Sequence, residues 1–115
     1  MRYDLEQRTK KLSKNIIILM LKLPITPVNR RMIEQVVASG GSIGANYCEA
    51  NEAESKKDFI HKIGICKKEI KETRYWLDLI STANPNYKIS LGILIKETHE
   101  LLMIFSKIIQ SCKNN

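Results

Sequence analysis

The sequence has few of the features that build a metal centre, a disulfide framework or a membrane span. Its three cysteines, Cys48, Cys66 and Cys112, are far apart, odd in number, and form no Cys-x-x-Cys pair. Each falls within a helical apolar pattern, so buried thiols in a reducing cytosol are expected. The longest apolar run, Ile16–Leu21, ends at Lys22 and is far too short to cross a bilayer. The N-terminus is charged and lacks a signal-peptide core, which points to a cytoplasmic protein with no membrane partner. Five glycines and three prolines leave no material for long flexible linkers. A length of 115 residues fits one domain, residues 1–115, with a modest core.

What the sequence does have is positive charge in one place. Residues 1–31 contain eight of the nineteen basic residues and two of the twelve acidic ones, so six of the seven net positive charges lie there. A local basic surface attracts polyanions, nucleic acid above all, with an affinity that fades as salt rises. The plainer reading is a solvated helix face that aids solubility.

Four segments carry an apolar seam with alternating spacings of three and four. They are Leu5, Thr9, Leu12, Ile16, Leu19 and Leu23; then Val36, Gly40, Ile43, Tyr47 and Ala50. The third is Phe59, Ile63, Cys66, Ile70, Thr73, Leu77 and Ile80. The fourth is Leu91, Leu94, Thr98, Leu101, Phe105, Ile108 and Cys112. This is the period of helices packed side by side at shallow angles. Pro24 stops the first helix. Thr26-Pro27 reads as N-cap and first residue of the second. Ser55, with Asp58 three positions on, opens the third. Asn84-Pro85-Asn86 marks the turn into the fourth. The connections are short, so the expected fold is all-α, an antiparallel up-down-up-down four-helix bundle.

Several helices carry a second apolar stripe. Helix one adds Ile17, Ile18, Met20 and Leu21; helix three adds Ile65, Trp76 and Leu79; helix four adds Ile95, Leu102 and Ile109. The surplus fits either a subunit interface or a wider core face. Helix two also bears a polar stripe, Gln35, Ser39, Ser42, Asn46 and Glu49, and helix three a mixed one that includes Asp58, Lys62, Glu69, Glu72 and Trp76. Charges that border a core need partners. Asn46 and Glu49 are therefore expected in a polar network with cations of helix three or of a neighbouring subunit, together with Lys68, Glu69 and Glu72.

Catalytic readings of these carboxylates are weak. A di-metal bundle wants Glu-x-x-His twice plus two further inward glutamates. The chain has no Glu-x-x-His, and Asp58-x-x-His61 is the nearest match; His99 is the other histidine. Glu69 and Glu72 share a helix face but have no accompanying nucleophile or pocket signature. Gly40-Gly41-Ser42-Ile43-Gly44 is not a Walker loop, because no Lys-Ser/Thr follows. Close helix–helix approach explains these glycines better. No enzyme activity, metal or cofactor is expected.

Three runs of residues carry a resemblance. They are Ser42-Ile43-Gly44-Ala45-Asn46-Tyr47-x-Glu49-Ala50, Glu54-Ser55-x-x-Asp58-Phe59-x-x-Lys62, and Lys68-Glu69-x-x-Glu72-Thr73-x-Tyr75-Trp76-Leu77. They resemble the bacterial four-helix bundle family, also called the ribosomal RNA intervening-sequence protein or S23-like family. The sequence is also similar to the accessory variability proteins of diversity-generating retroelements. The resemblance implies an antiparallel four-helix bundle that assembles as a homopentamer, with a basic surface for RNA or DNA. In the retroelement branch it also implies partnership with a reverse transcriptase. Ala38 stands where relatives usually carry Arg, so any contact of that Arg falls to Arg30, Arg31 or Arg74, or is absent.

The leading expectation is an oligomeric nucleic-acid-binding accessory protein without catalysis. Arg8, Lys10, Lys11, Lys14 and Lys22 fall on the side of helix one away from its seam, and Arg30 and Arg31 extend the basic region. No aromatic residue interleaves them, so phosphate contacts with little sequence readout are expected. The alternative is a protein-interaction scaffold whose basic face docks an acidic protein.

Overall fold

The computed structural model describes residues 4–114. Four long helices form the chain: α1 (Leu5–Met20), α2 (Pro27–Asn51), α3 (Lys56–Ala83) and α4 (Lys88–Lys113). A single 3-10 turn, Pro85–Tyr87, leads into α4. Each helix packs against its sequence neighbours, and α1 closes the ring against α4. The result is the expected antiparallel up-down-up-down bundle, 48 × 22 × 19 Å in extent.

Local chemistry sets the helix starts. The Asp4 side chain accepts from the Gln7 N–H, Thr26 Oγ1 from the Asn29 N–H, and Ser55 Oγ from the Asp58 N–H. At the far end of α1 the helix stops at Met20, earlier than the last seam residue, Leu23. The ring of Pro24 clashes with the carbonyl four residues back, and that residue is Met20.

All six residues of the first seam are buried, the last, Leu23, just beyond α1, as are Ile63, Cys66, Ile70, Thr73, Leu77 and Ile80 of α3. Leu91, Leu94, Thr98, Leu101 and Phe105 of α4 join Val36, Ile43 and Ala50 of α2 in the same core. Threonines in this core satisfy their hydroxyls on their own helices: Thr9 donates to the Leu5 carbonyl at 2.7 Å and Thr98 to that of Ile95 at 2.6 Å. Two glycines let α1 and α2 approach closely. A Cβ at Gly40 would stand 3.0 Å from Ile16 Cδ1, and one at Gly44 would stand 3.0 Å from Thr9 Oγ1.

The surplus apolar stripes divide. Met20 is buried, and Ile65, Trp76, Ile95, Leu102 and Ile109 are half-buried, so these widen the core face. Ile17 and Leu79 are exposed at the margin of the core, while Ile18 and Leu21, with Ile25 and Val28 from outside the stripes, are 54%, 81%, 93% and 59% exposed. These last four cluster in sequence about the α1–α2 turn. The cysteines need a correction: Cys66 is buried, Cys112 is half-buried, but Cys48 is exposed, because it sits one position past the half-buried Tyr47 on the solvent side of the seam. Burial pushes the Cys66 thiol up to about 12.

Candidate nucleic-acid interface

The seam of α1 faces α2, and its opposite side carries Lys10, Lys11 and Lys14, all exposed. Together with Asp4, Gln7 and Arg8 they line a shallow surface depression. Lys22 is exposed in the α1–α2 turn. Arg30 and Arg31 are exposed on the first turns of α2, beside Ile25, Thr26, Pro27 and Glu34. Lys10, Lys11, Lys14, Lys22, Arg30 and Arg31 take part in no ion pair among the described residues. Their charge is therefore offered to solvent.

Arg8 differs from its neighbours. Its guanidinium turns onto α4, where Nε donates to Glu97 Oε2 at 2.7 Å and Nη2 to Glu97 Oε1 at 2.8 Å. Glu100 Oε1 lies 3.6 Å from Nη2. This paired fork is the strong form of an arginine–carboxylate contact. The hydrogen bonds that Arg8 donates to Glu97 hold its guanidinium charged above its ordinary range, against a smaller opposing effect of burial. Arg8 thus sits on the flank between α1 and α4 rather than on the solvent side with the lysines, and its charge is already neutralised. Arg2, counted in the basic N-terminal segment, lies outside the described residues.

The residues expected in a polar network are only partly brought together. Glu49 Oε1 reaches Lys62 Nζ of α3 at 3.3 Å. Asn46 donates to the Ser42 carbonyl on its own helix at 2.8 Å. Lys68 and Glu72 are exposed. Glu69 is half-buried; burial pushes its carboxyl up, Glu72 adds repulsion, and Lys68 partly offsets both.

The buried polar contacts lie elsewhere. Thr73 Oγ1 donates to the Glu69 carbonyl and sits 2.9 Å from Ser39 Oγ, joining α3 to α2. Asn29 and Asn84 exchange amide hydrogen bonds at the end of the bundle that carries the α1–α2 and α3–α4 turns. In the sequence these asparagines look like ordinary cap and turn residues, 55 positions apart, and nothing local links them. Among the described residues, no buried side-chain nitrogen or oxygen lacks a hydrogen-bond partner. No group of three or more His, Cys, Asp or Glu among them is placed to hold a metal ion, and no helix is long and apolar enough to cross a membrane.

The model of the 23S rRNA-intervening sequence protein family matches residues 2–107. The chain belongs to that family. This family member also resembles a solved structure, a protein of unknown function from the S23 ribosomal protein family of Bacteroides thetaiotaomicron. The two share 29% sequence identity and a TM-score of 0.77, with 90% of this chain and 96% of that one covered. No curated protein matches the chain.

Proposed function

We propose that this intervening-sequence protein is a non-catalytic accessory protein that binds nucleic acid through the basic side of α1 and assembles with copies of itself. The observation that carries the first half is the set of exposed lysines, Lys10, Lys11 and Lys14, on one helix face with no ion pair among the described residues. Lys22, Arg30 and Arg31 continue that charge around the turn into α2. Such a surface gives phosphate contacts, strong salt dependence and little base discrimination.

Support for assembly comes from the exposed apolar side chains around the α1–α2 turn, Ile18, Leu21, Ile25 and Val28. Large exposed apolar side chains close together in sequence fit a contact surface if they adjoin in space. A ring of five, as the family resemblance implies, would repeat the basic face and raise avidity. A reverse transcriptase is a candidate partner through the retroelement resemblance.

The test is binding of RNA and of DNA by the full chain across a salt series, beside K10Q/K11Q/K14Q, with solution mass measured in parallel. The expected result is an affinity that falls steeply with salt and a slope reduced in the triple variant. Absent binding at low salt, or binding indifferent to salt, would sink the reading. Recovery of a bound acidic protein that survives nuclease treatment would favour the scaffold alternative.

A further inference from the structure

The two flanks of α3 differ in charge, one mixed and the other mainly basic. Glu69 and Glu72 share the flank with Lys62, whose ammonium reaches Glu49 of α2. The opposite flank, toward α4, carries Lys67, Lys71 and Arg74 at spacings of four and three. None of these three takes part in an ion pair among the described residues. Successive charges at this spacing stand about 6 Å apart along the helix. Gly64 lies one turn before Lys67, and a Cβ there would meet nothing within 4 Å, so the surface stays open in that direction.

Next to these cations stands an aromatic ring, the feature that the α1 face lacks. Tyr75 is 58% exposed. It meets Trp76 edge-on with ring centroids 5.2 Å apart, and Trp76 packs against the core. Tyr75, Lys71, Arg74, Asp78 and Ile95 of α4 line a surface depression of about 460 Å³. Asp78 stands at one end and repels phosphate, so a bound strand would run from Arg74 toward Lys67.

We propose that the α3–α4 groove is a second polyanion site, specific for single-stranded nucleic acid, in which Lys67, Lys71 and Arg74 hold phosphates and Tyr75 stacks a base. Cations tracking a backbone beside an aromatic platform are the recurring design of single-strand binders. A duplex keeps its bases stacked on each other and presents no free face to Tyr75. The inference goes beyond the α1 reading and uses none of its residues.

The experiment uses the full chain and three probes: a single-stranded oligouridine, a duplex RNA of equal length, and heparin as a polyanion without bases. The variants are Y75A, Y75F and K67Q/K71Q/R74Q, each checked by circular dichroism. Tyr75→Ala is expected to weaken oligouridine about fivefold or more and to leave heparin unchanged, while Tyr75→Phe keeps the affinity. The triple variant is expected to lower the oligouridine salt slope by about two, at roughly 0.7 per phosphate for a single strand. Trp76 is the only tryptophan, so its fluorescence should change with oligouridine and not with heparin. Equal losses for oligouridine and heparin in Tyr75→Ala, or wild-type binding by both Tyr75→Ala and the triple variant, would overturn the proposal. A Tyr75 effect that persists in K10Q/K11Q/K14Q separates this site from the α1 face, since loss of binding through α1 then leaves it standing.

Discussion

Asn29 Nδ2 donates to Asn84 Oδ1 at 3.0 Å, and Asn84 Nδ2 donates back to Asn29 Oδ1 at 2.8 Å. Both residues are buried, 3% and 5% exposed. The remaining amide hydrogens go to the Pro24 and Ile80 carbonyls. One side-chain pair therefore ties the α1–α2 turn, the start of α2 and the end of α3 together. Truncating either partner leaves a buried amide short of hydrogen bonds. Asn29→Ala and Asn84→Ala should each cost about 1–3 kcal/mol. The double variant should cost less than the sum, because the second truncation removes a group already orphaned by the first. Urea unfolding of the four proteins checks this, and strict additivity would show that the pair is not coupled.

Glycine positions in this bundle should respond in opposite directions. Gly64 and Gly92 lie inside helices with nothing within 4 Å of a new Cβ. Alanine there removes backbone freedom from the unfolded chain and should stabilise by about 0.5–1 kcal/mol. Gly44 is different. A Cβ would press on Thr9 Oγ1 at 3.0 Å and Thr9 Cβ at 3.4 Å. That hydroxyl is held by the Leu5 carbonyl, and a β-branched side chain has little freedom to turn away. Gly44→Ala should therefore destabilise despite its better helix propensity. Thermal unfolding ranks the variants, and a stabilised Gly44→Ala would mean that α1 slides freely over α2.

The seams were legible in the sequence because a spacing of three and four leaves one geometric solution. Residues such as Leu12, Ile70 and Leu101 have a single side of the helix to occupy, and that side is the core. What lies on a flank was harder to read. The sequence pattern puts Arg8 with the lysines, away from the seam, and does not tell which helix covers its flank. Glu97 does, from 89 residues away. Asn29 and Asn84 were hidden for the same reason. Ile18 and Leu21 were visible as surplus, yet only the folded chain separates them from Met20, which turns inward.

Cys48 and Cys66 should separate in reactivity and in pH dependence. Cys48 is exposed and should react with a thiol reagent in the native protein, while Cys66 is buried and should react only on unfolding. Burial raises the Cys66 thiol from 9.0 to about 12. Below pH 9 both states keep the proton, and the thiol contributes no pH dependence. Above it the unfolded chain loses the proton and the folded one retains it, so the folded state binds more protons and stability falls as pH rises. The slope attributable to Cys66 approaches about 1.4 kcal/mol per pH unit between these values. Cys66→Ala should lose that slope relative to wild type. Other groups titrating in the range cancel in the comparison, and equal slopes in the two proteins would refute the assignment.

Arg8 offers the sharpest separation of stability from binding. Its charge is already met by Glu97 and Glu100, so Arg8→Gln should leave the salt slope of nucleic-acid binding nearly unchanged. The same variant should destabilise the fold by roughly 0.5–1.5 kcal/mol, given a bidentate but partly solvated pair. The lysines behave in reverse: K10Q/K11Q/K14Q should bind weakly and unfold much like wild type, because exposed cations without partners contribute little to stability. Removing the acids instead gives a gain of function. In E97Q/E100Q the Arg8 guanidinium loses both countercharges on a flank shared with Lys11, in the groove between α1 and α4. A freed Arg8 adds one phosphate contact, which steepens the salt slope by about 0.7–0.9 and tightens binding at low salt. Measuring that slope for wild type, Arg8→Gln and E97Q/E100Q decides the matter. Should Arg8→Gln flatten the slope as much as a lysine variant, Arg8 must leave Glu97 to contact phosphate, and the division of labour between pairing and binding on α1 would be wrong.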